Sequence, residues 1–190
     1  QEAIMERPPG LRTCLYDTPE LGAVIDEMAH QCAGLVSRSD KIAVIGILRR
    51  GVPLADLLVE AMSRRYQLPS PQRIDLKVKR YADDLTLLYP ETRLTEDEHS
   101  ASVDLAGHTL LVVDDVLYTG HSLLRVVEYL ARKQPAEIHV AMLVDRGATL
   151  LPVRADVVGV RLDIAPSDII ECNVPPYEPE FKIELLQPLR

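Results

Sequence analysis

Residues Leu110–Ser122 read LLVVDDVLYTGHS. The apolar run from Leu110 to Val113 ends in two adjacent carboxylates, Asp114 and Asp115, and Thr119, Gly120 and Ser122 follow shortly after. Four consecutive apolar residues suit a strand covered on both faces. The small and hydroxyl-bearing residues after it suit a tight loop that opens a helix. In such a strand–loop–helix unit the first helical N–H groups have no internal partner, and the helix dipole favours an anion beside them. Thr119 and Ser122 add hydroxyl donors, and Gly120 lets the backbone approach a ligand with no Cβ in the way. The carboxylates stand at the carboxyl end of a strand, where open α/β sheets bind ligands. A pair of this kind accepts hydrogen bonds from a sugar diol or takes part in binding hydrated Mg2+. The Walker pattern GxxxxGK[ST] is absent, because here the acids precede the glycine. The bland alternative is that Asp114 and Asp115 merely close a strand and cap a turn; it leaves the TGHS that follows without a purpose.

Working outward, Lys41–Leu48 (KIAVIGIL) is nearly all apolar and reads as another buried strand. Ile74–Lys79 alternates apolar and polar, as a half-exposed strand does. Ile138–Val144, Val157–Val160 and Lys182–Leu186 read as further strands. Leu21, Val24, Ile25, Met28, Cys32 and Leu35 recur at helical spacing, with Thr18 as the expected cap and Pro19 in the first turn. Further helices are expected from about Pro53 to Arg65 and from about Ser122 to Lys133. Strands alternating with helices imply an α/β fold with a mainly parallel, doubly wound sheet. Ala82–Gly107 has scattered acids and no sustained period. It is either a disordered insertion or a loop that closes over a site, and its place directly before the carboxylate motif favours the loop.

The 190 residues suit one domain with a full core. No apolar run approaches the ~20 residues that span a bilayer, so no membrane contact is expected, and the expected location is the cytoplasm. Cys14, Cys32 and Cys172 are widely spaced and form no CxxC pair, which indicates neither a zinc site nor a disulfide framework. His30, His99, His108, His121 and His139 are scattered and suggest no metal cluster. A net charge of -8 argues against a general nucleic-acid binder.

Two acids, three residues and then Thr-Gly-x-Ser resembles the signature by which type I phosphoribosyltransferases hold 5-phosphoribosyl 1-pyrophosphate (PRPP). DDVLYTG is similar in particular to the PyrR-type regulators of pyrimidine operons that double as uracil phosphoribosyltransferases. Gly46–Leu54 (GILRRGVPL) resembles the family's pyrophosphate loop, and Tyr81–Thr86 (YADDLT) resembles a segment that usually reads YRDDLT. Asp145-Arg146-Gly147 and Leu151–Gly159 resemble its third loop. The resemblance implies a single phosphoribosyltransferase domain over residues 1–190, with a flexible active-site hood at about 80–107 and a divergent extension at about 163–190.

The implied reaction uses PRPP and Mg2+ to turn a pyrimidine base, uracil above all, into its monophosphate with release of pyrophosphate. Tyr118, Thr119, Gly120, His121 and Ser122 would hold the 5-phosphate, and Leu48, Arg49, Arg50 and Gly51 the pyrophosphate, in a loop that often contains a cis non-proline peptide. Read without the resemblance, Arg49-Arg50 is an ordinary solvated turn. Asp114 and Asp115 would contact the ribose hydroxyls and Mg2+, the metal being bound mainly through PRPP. Arg80 and Tyr81 would join them as catalytic residues in the hood, or else are surface residues at a strand end. The family's usual arginine is replaced by Ala82. Asp145, Arg146, Val157, Val158 and Gly159 would line the base. Purine-using relatives carry Asp where this chain has Tyr118, which favours a pyrimidine. The family also implies a homodimer or larger assembly and, in many members, RNA binding. Positions that are basic in RNA-binding relatives match the uncharged Leu35, Thr149 and Val160, so RNA binding is expected to be weak. A nucleotide-sensing RNA regulator and a phosphoribosyltransferase for another base are the competing readings.

Overall fold

The computed structural model describes residues 7–68, 70–78, 94–96 and 104–189. Five parallel strands form the centre of the larger sheet: β2 (Ile42–Ile47), β3 (Gln72–Val78), β5 (Thr109–Leu117), β6 (Glu137–Asp145) and β7 (Val157–Arg161). Their spatial order is β3-β2-β5-β6-β7, and β4 (Leu94–Glu96) pairs antiparallel with β3 at one edge. The chain winds outward from β2 to β3 on one side, and from β5 through β6 to β7 on the other. The sheet therefore reverses direction between β2 and β5, the place where doubly wound sheets open a crevice.

Helices α1 (Thr18–Val36) and α2 (Gly51–Arg65) cover one face and α3 (His121–Ala131) the other. Alternation along the strands divides the side chains between two cores. Ile42, Val44, Leu111 and Val113 meet α1 and α2, whereas Ala43, Ile45, Leu110 and Val112 lie on the α3 side with Leu123, Val126 and Leu130. Both faces are buried, which explains why these strands read as continuous apolar runs.

The expected strands and helices are present with shifted ends. The cap of α1 is Asp17, not Thr18: its carboxylate accepts from the Glu20 N–H at 2.9 Å, and Glu20 accepts in return from the Asp17 N–H. Thr18 is already helical and gives its hydroxyl to the Phe181 carbonyl at 2.7 Å. Helix α2 begins at Gly51, ahead of Pro53. Strand β5 runs on to Leu117, so both carboxylates still lie within it.

A second sheet was not evident from the pattern. Strands β1 (Gly10–Tyr16), β9 (Lys182–Pro188) and β8 (Ile169–Asn173) pair antiparallel in that order. Ile170, Cys172, Val174, Phe181 and Ile183 from this region join the same core as α1 and α2. Its other polar groups are tied by charge: Glu184 accepts from Arg7 at 2.8 Å and from Asn173 at 3.1 Å, and Glu171 accepts from Arg12 at 2.7 Å. No helix among the described residues is long and apolar enough to cross a membrane.

Candidate active site

The crevice between β2 and β5 receives two loops. Gly46 of β2 is in register with Val113 of β5, so the loop after β2 leaves the sheet beside Asp114 and Asp115, which β5 still carries. The loop after β2 carries Leu48, Arg49, Arg50 and Gly51, and the Leu48–Arg49 peptide is cis. Leu48 is anchored by its N–H to the Leu76 carbonyl at 2.9 Å. Gly51 opens α2 against β5, and a Cβ there would lie 3.2 Å from Asp114 Cα and 3.3 Å from Asp114 Oδ1. Only glycine allows the loop this close to the carboxylate motif.

Asp114 is buried and Asp115 partly so. Each turns Oδ1 to the next residue's N–H, Asp114 to Asp115 at 2.8 Å and Asp115 to Val116 at 2.9 Å. These short bonds fix the two carboxylates at the strand end. Beyond them Gly120 caps α3 with φ of 96°, a left-handed conformation that disfavours a side chain. A Cβ on Gly120 would stand 2.6 Å from Val153 Cγ2. Thr119 accepts the Leu150 N–H at 2.8 Å through its carbonyl, and its hydroxyl is 3.0 Å from His121 Nδ1. The helix starts at His121, so the open N–H groups of its first turn, with His121 and Ser122, follow directly on the loop that holds Tyr118 and Thr119.

Tyr118 is half exposed, and the Arg146 guanidinium lies 4.4 Å from its ring centroid. Arg146 also donates to the Asp168 carbonyl at 3.1 Å, and its Nε is buried without a partner among the described residues. Asp145 is occupied by its own turn: it accepts from the Gly147 N–H at 2.8 Å and from Arg161 at 3.0 Å. Val157 is buried in the core, while Val158 and Gly159 are partly exposed along β7. The structure thus unites Asp114, Asp115 and Gly51, and separately Tyr118 with Arg146. Arg80, Tyr81 and most of the expected hood lie outside the described residues.

Two residues of this region carry no motif and were not foreseen. Glu178 accepts from Arg50 Nε at 2.6 Å. Burial works against the Arg50 charge, but Glu178, helped by Asp115, outweighs it and raises the guanidinium above its ordinary range. Cys172 is buried close by. Burial first, and then the charge of Asp115, push its thiol well above the usual range, so it stays a neutral packing group.

Paired acids at a strand end, a glycine-tight loop facing them and an open helix start thus stand together at the sheet's switch point. The chain belongs to the phosphoribosyl transferase domain family, whose model matches residues 12–180, and is an enzyme of the phosphoribosyltransferase type. It is 32% identical over 174 residues to the Bifunctional protein PyrR of Thermus thermophilus, covering 90% of this chain and 93% of that protein. It is 30% identical over 173 residues to the Bifunctional protein PyrR of Haemophilus ducreyi, covering 90% and 95%. A solved hypoxanthine phosphoribosyltransferase from Trypanosoma cruzi shares the fold, with a TM-score of 0.74 at 20% identity over 94% of this chain and 96% of that one.

Proposed function

We propose that the protein transfers ribose 5-phosphate from PRPP to a ring nitrogen of uracil, releasing pyrophosphate. The bond from the anomeric carbon to pyrophosphate breaks, its electron pair leaving with pyrophosphate, as the base nitrogen bonds to that carbon and loses its proton to solvent. Positive charge builds on the sugar and negative charge on the leaving group. A catalyst must hold three parts in line and offset the departing charge. The contact of Gly51 with Asp114 carries the reading, because it sets a cation-bearing loop directly beside two carboxylates at the sheet's switch point.

In this reading Asp114 and Asp115 hold the ribose hydroxyls, and residues 118–122 hold the 5-phosphate at the start of α3. Leu48, Arg49, Arg50 and Gly51 receive the pyrophosphate. Among the described residues no cluster of three or more metal-ligating side chains exists. Two carboxylates with substrate oxygens nevertheless suit Mg2+, which keeps several waters and binds through one or two carboxylates plus phosphates. When bound, it would supply charge neutralisation at the leaving group. Arg80 and Tyr81 would cover the site from the hood.

Tyr118, with Arg146 over its ring, supports a pyrimidine. A carboxylate there could address the imidazole nitrogen of a purine, and an aromatic ring cannot. The main chain and side chains of residues 145–146 and 157–159 would line the base. The reading treats residues 1–190 as one domain that works in the cytoplasm as a homodimer or larger assembly.

The test is a panel of bases assayed with PRPP and Mg2+, following pyrophosphate release. Uracil should give the highest kcat/KM. A higher value for hypoxanthine or guanine would overturn the base assignment, and release with no base would overturn the reaction.

A further inference from the structure

We infer that Glu178 is a positioning residue for the leaving pyrophosphate and acts by holding Arg50; this rests on the assignment of residues 48–51 to pyrophosphate. Arg50 Nε donates to Glu178 Oε1 at 2.6 Å, with the Arg50 side chain 39% exposed and that of Glu178 18%. A guanidinium is a planar fork whose terminal nitrogens keep a fixed direction once Nε is held. The bond at Nε fixes that plane and leaves the terminal N–H groups to a ligand, so Arg50 is aimed before any anion arrives.

The anchor itself is rigid. Glu178 sits in the turn VPPYEP, residues 174–179, where three prolines hold φ near −65°. Tyr177 and Glu178 both donate their N–H groups to the Val174 carbonyl, at 3.0 and 3.3 Å. Val174 and Phe181, on either side, are buried in the core. The second carboxylate oxygen, Oε2, is buried and has no partner among the described residues. A bridge serving only stability would be expected to satisfy both oxygens, whereas this carboxylate is committed to one direction of pull on one arginine. Arg49, next in the loop, is exposed. The two arginines therefore divide the work: Arg49 adds charge and Arg50 adds direction. Held groups contribute most to a reaction in which alignment supplies much of the rate.

A double-mutant cycle tests this with Arg50→Ala, Glu178→Ala and the pair, read by kcat/KM for PRPP and by calorimetric binding of pyrophosphate with Mg2+. Glu178→Ala should lower kcat/KM by roughly ten- to a hundredfold and have almost no further effect once Arg50 is gone. Glu178→Gln, which keeps an acceptor at Oε1, should restore most of the loss. If Glu178→Ala does not fold, Glu178→Asp carries the test, since drawing the anchor back should still lower kcat/KM about tenfold. Unchanged kcat/KM, tighter pyrophosphate binding in Glu178→Ala, or losses that simply multiply would overturn the inference. Coupled pyrophosphate binding without turnover of any base would sustain the inference and sink the proposed reaction; absence of pyrophosphate binding in the unaltered protein would sink both.

Discussion

The backbone of Gly51 rests against Asp114, with space for a hydrogen and none for a methyl group. That contact fixes the distance between the loop after β2 and the carboxylate pair at the end of β5. Both strands are buried and in register, so neither loop can retreat without disturbing the sheet. The site inherits its geometry from the core.

Replacement of Gly51 by Ala should therefore damage ligand binding more than it damages the fold. The added methyl would collide with the Val113 carbonyl and crowd Asp114, and overpacking of this kind costs about 1–3 kcal/mol. The loop is the easier side to move. Urea denaturation should show a loss within that range, while the rise in melting temperature caused by PRPP with Mg2+ should fall by more than half. A ligand-induced rise equal to that of the unaltered protein would show that the contact does not shape the site.

The carboxylates themselves should be indispensable for the same ligand. A ligand bound only by the native state stabilises it by RT ln(1 + [L]/Kd) and so raises the melting temperature. Asp114→Asn together with Asp115→Asn should abolish most of the PRPP-induced rise, although the amides can still accept the bonds from Asp115 N–H and Val116 N–H. An undiminished rise would remove these residues from the site.

Much of this architecture was legible because period and burial agree. KIAVIGIL and LLVV had to be strands covered on both faces, and the observed division of their side chains between two cores explains the pattern. The order of acids, glycine and hydroxyls marked the passage from strand β5 through a short loop to α3. The small sheet was hidden for a physical reason. Its strands mix Arg12, Glu171 and Glu184 among apolar residues, and only long-range pairing between the chain's two ends makes those charges compatible with burial. Glu178 was hidden likewise, since a lone acid in a proline-rich turn carries no periodicity and its partner lies 128 positions away.

The ion network of that small sheet predicts a pH dependence. Burial tends to raise the Glu184 pKa, but the Arg7 hydrogen bond, the charges of Lys182 and Arg7, and Asn173 together bring it below its ordinary 4.5. A depressed carboxylate contributes stability above its unfolded pKa and loses that contribution as pH falls through the folded value. Stability from urea titrations should thus decline as pH drops below about 4.5. Glu184→Gln should start lower at pH 7 and decline less steeply over the same window. Parallel curves for the two proteins would show that Glu184 contributes nothing to acid sensitivity.

RNA binding should be weak. A protein grips RNA phosphates with lysines and arginines, and each contact adds to both affinity and its dependence on salt. Of the three matching positions, Leu35 and Val160 pack against the core, and Thr149 is exposed and uncharged. Arg161 is largely exposed but paired with Asp145, and Arg64 and Arg65 share Asp26. His30 and Arg154 are exposed, and the net charge of -8 repels phosphate at long range. A filter-binding titration with a pyrimidine-operon leader hairpin at near-physiological salt should show weak binding, a shallow salt dependence and no response to UMP. Tight binding that depends on sequence and strengthens with UMP would overturn this expectation and make transcriptional control the leading function.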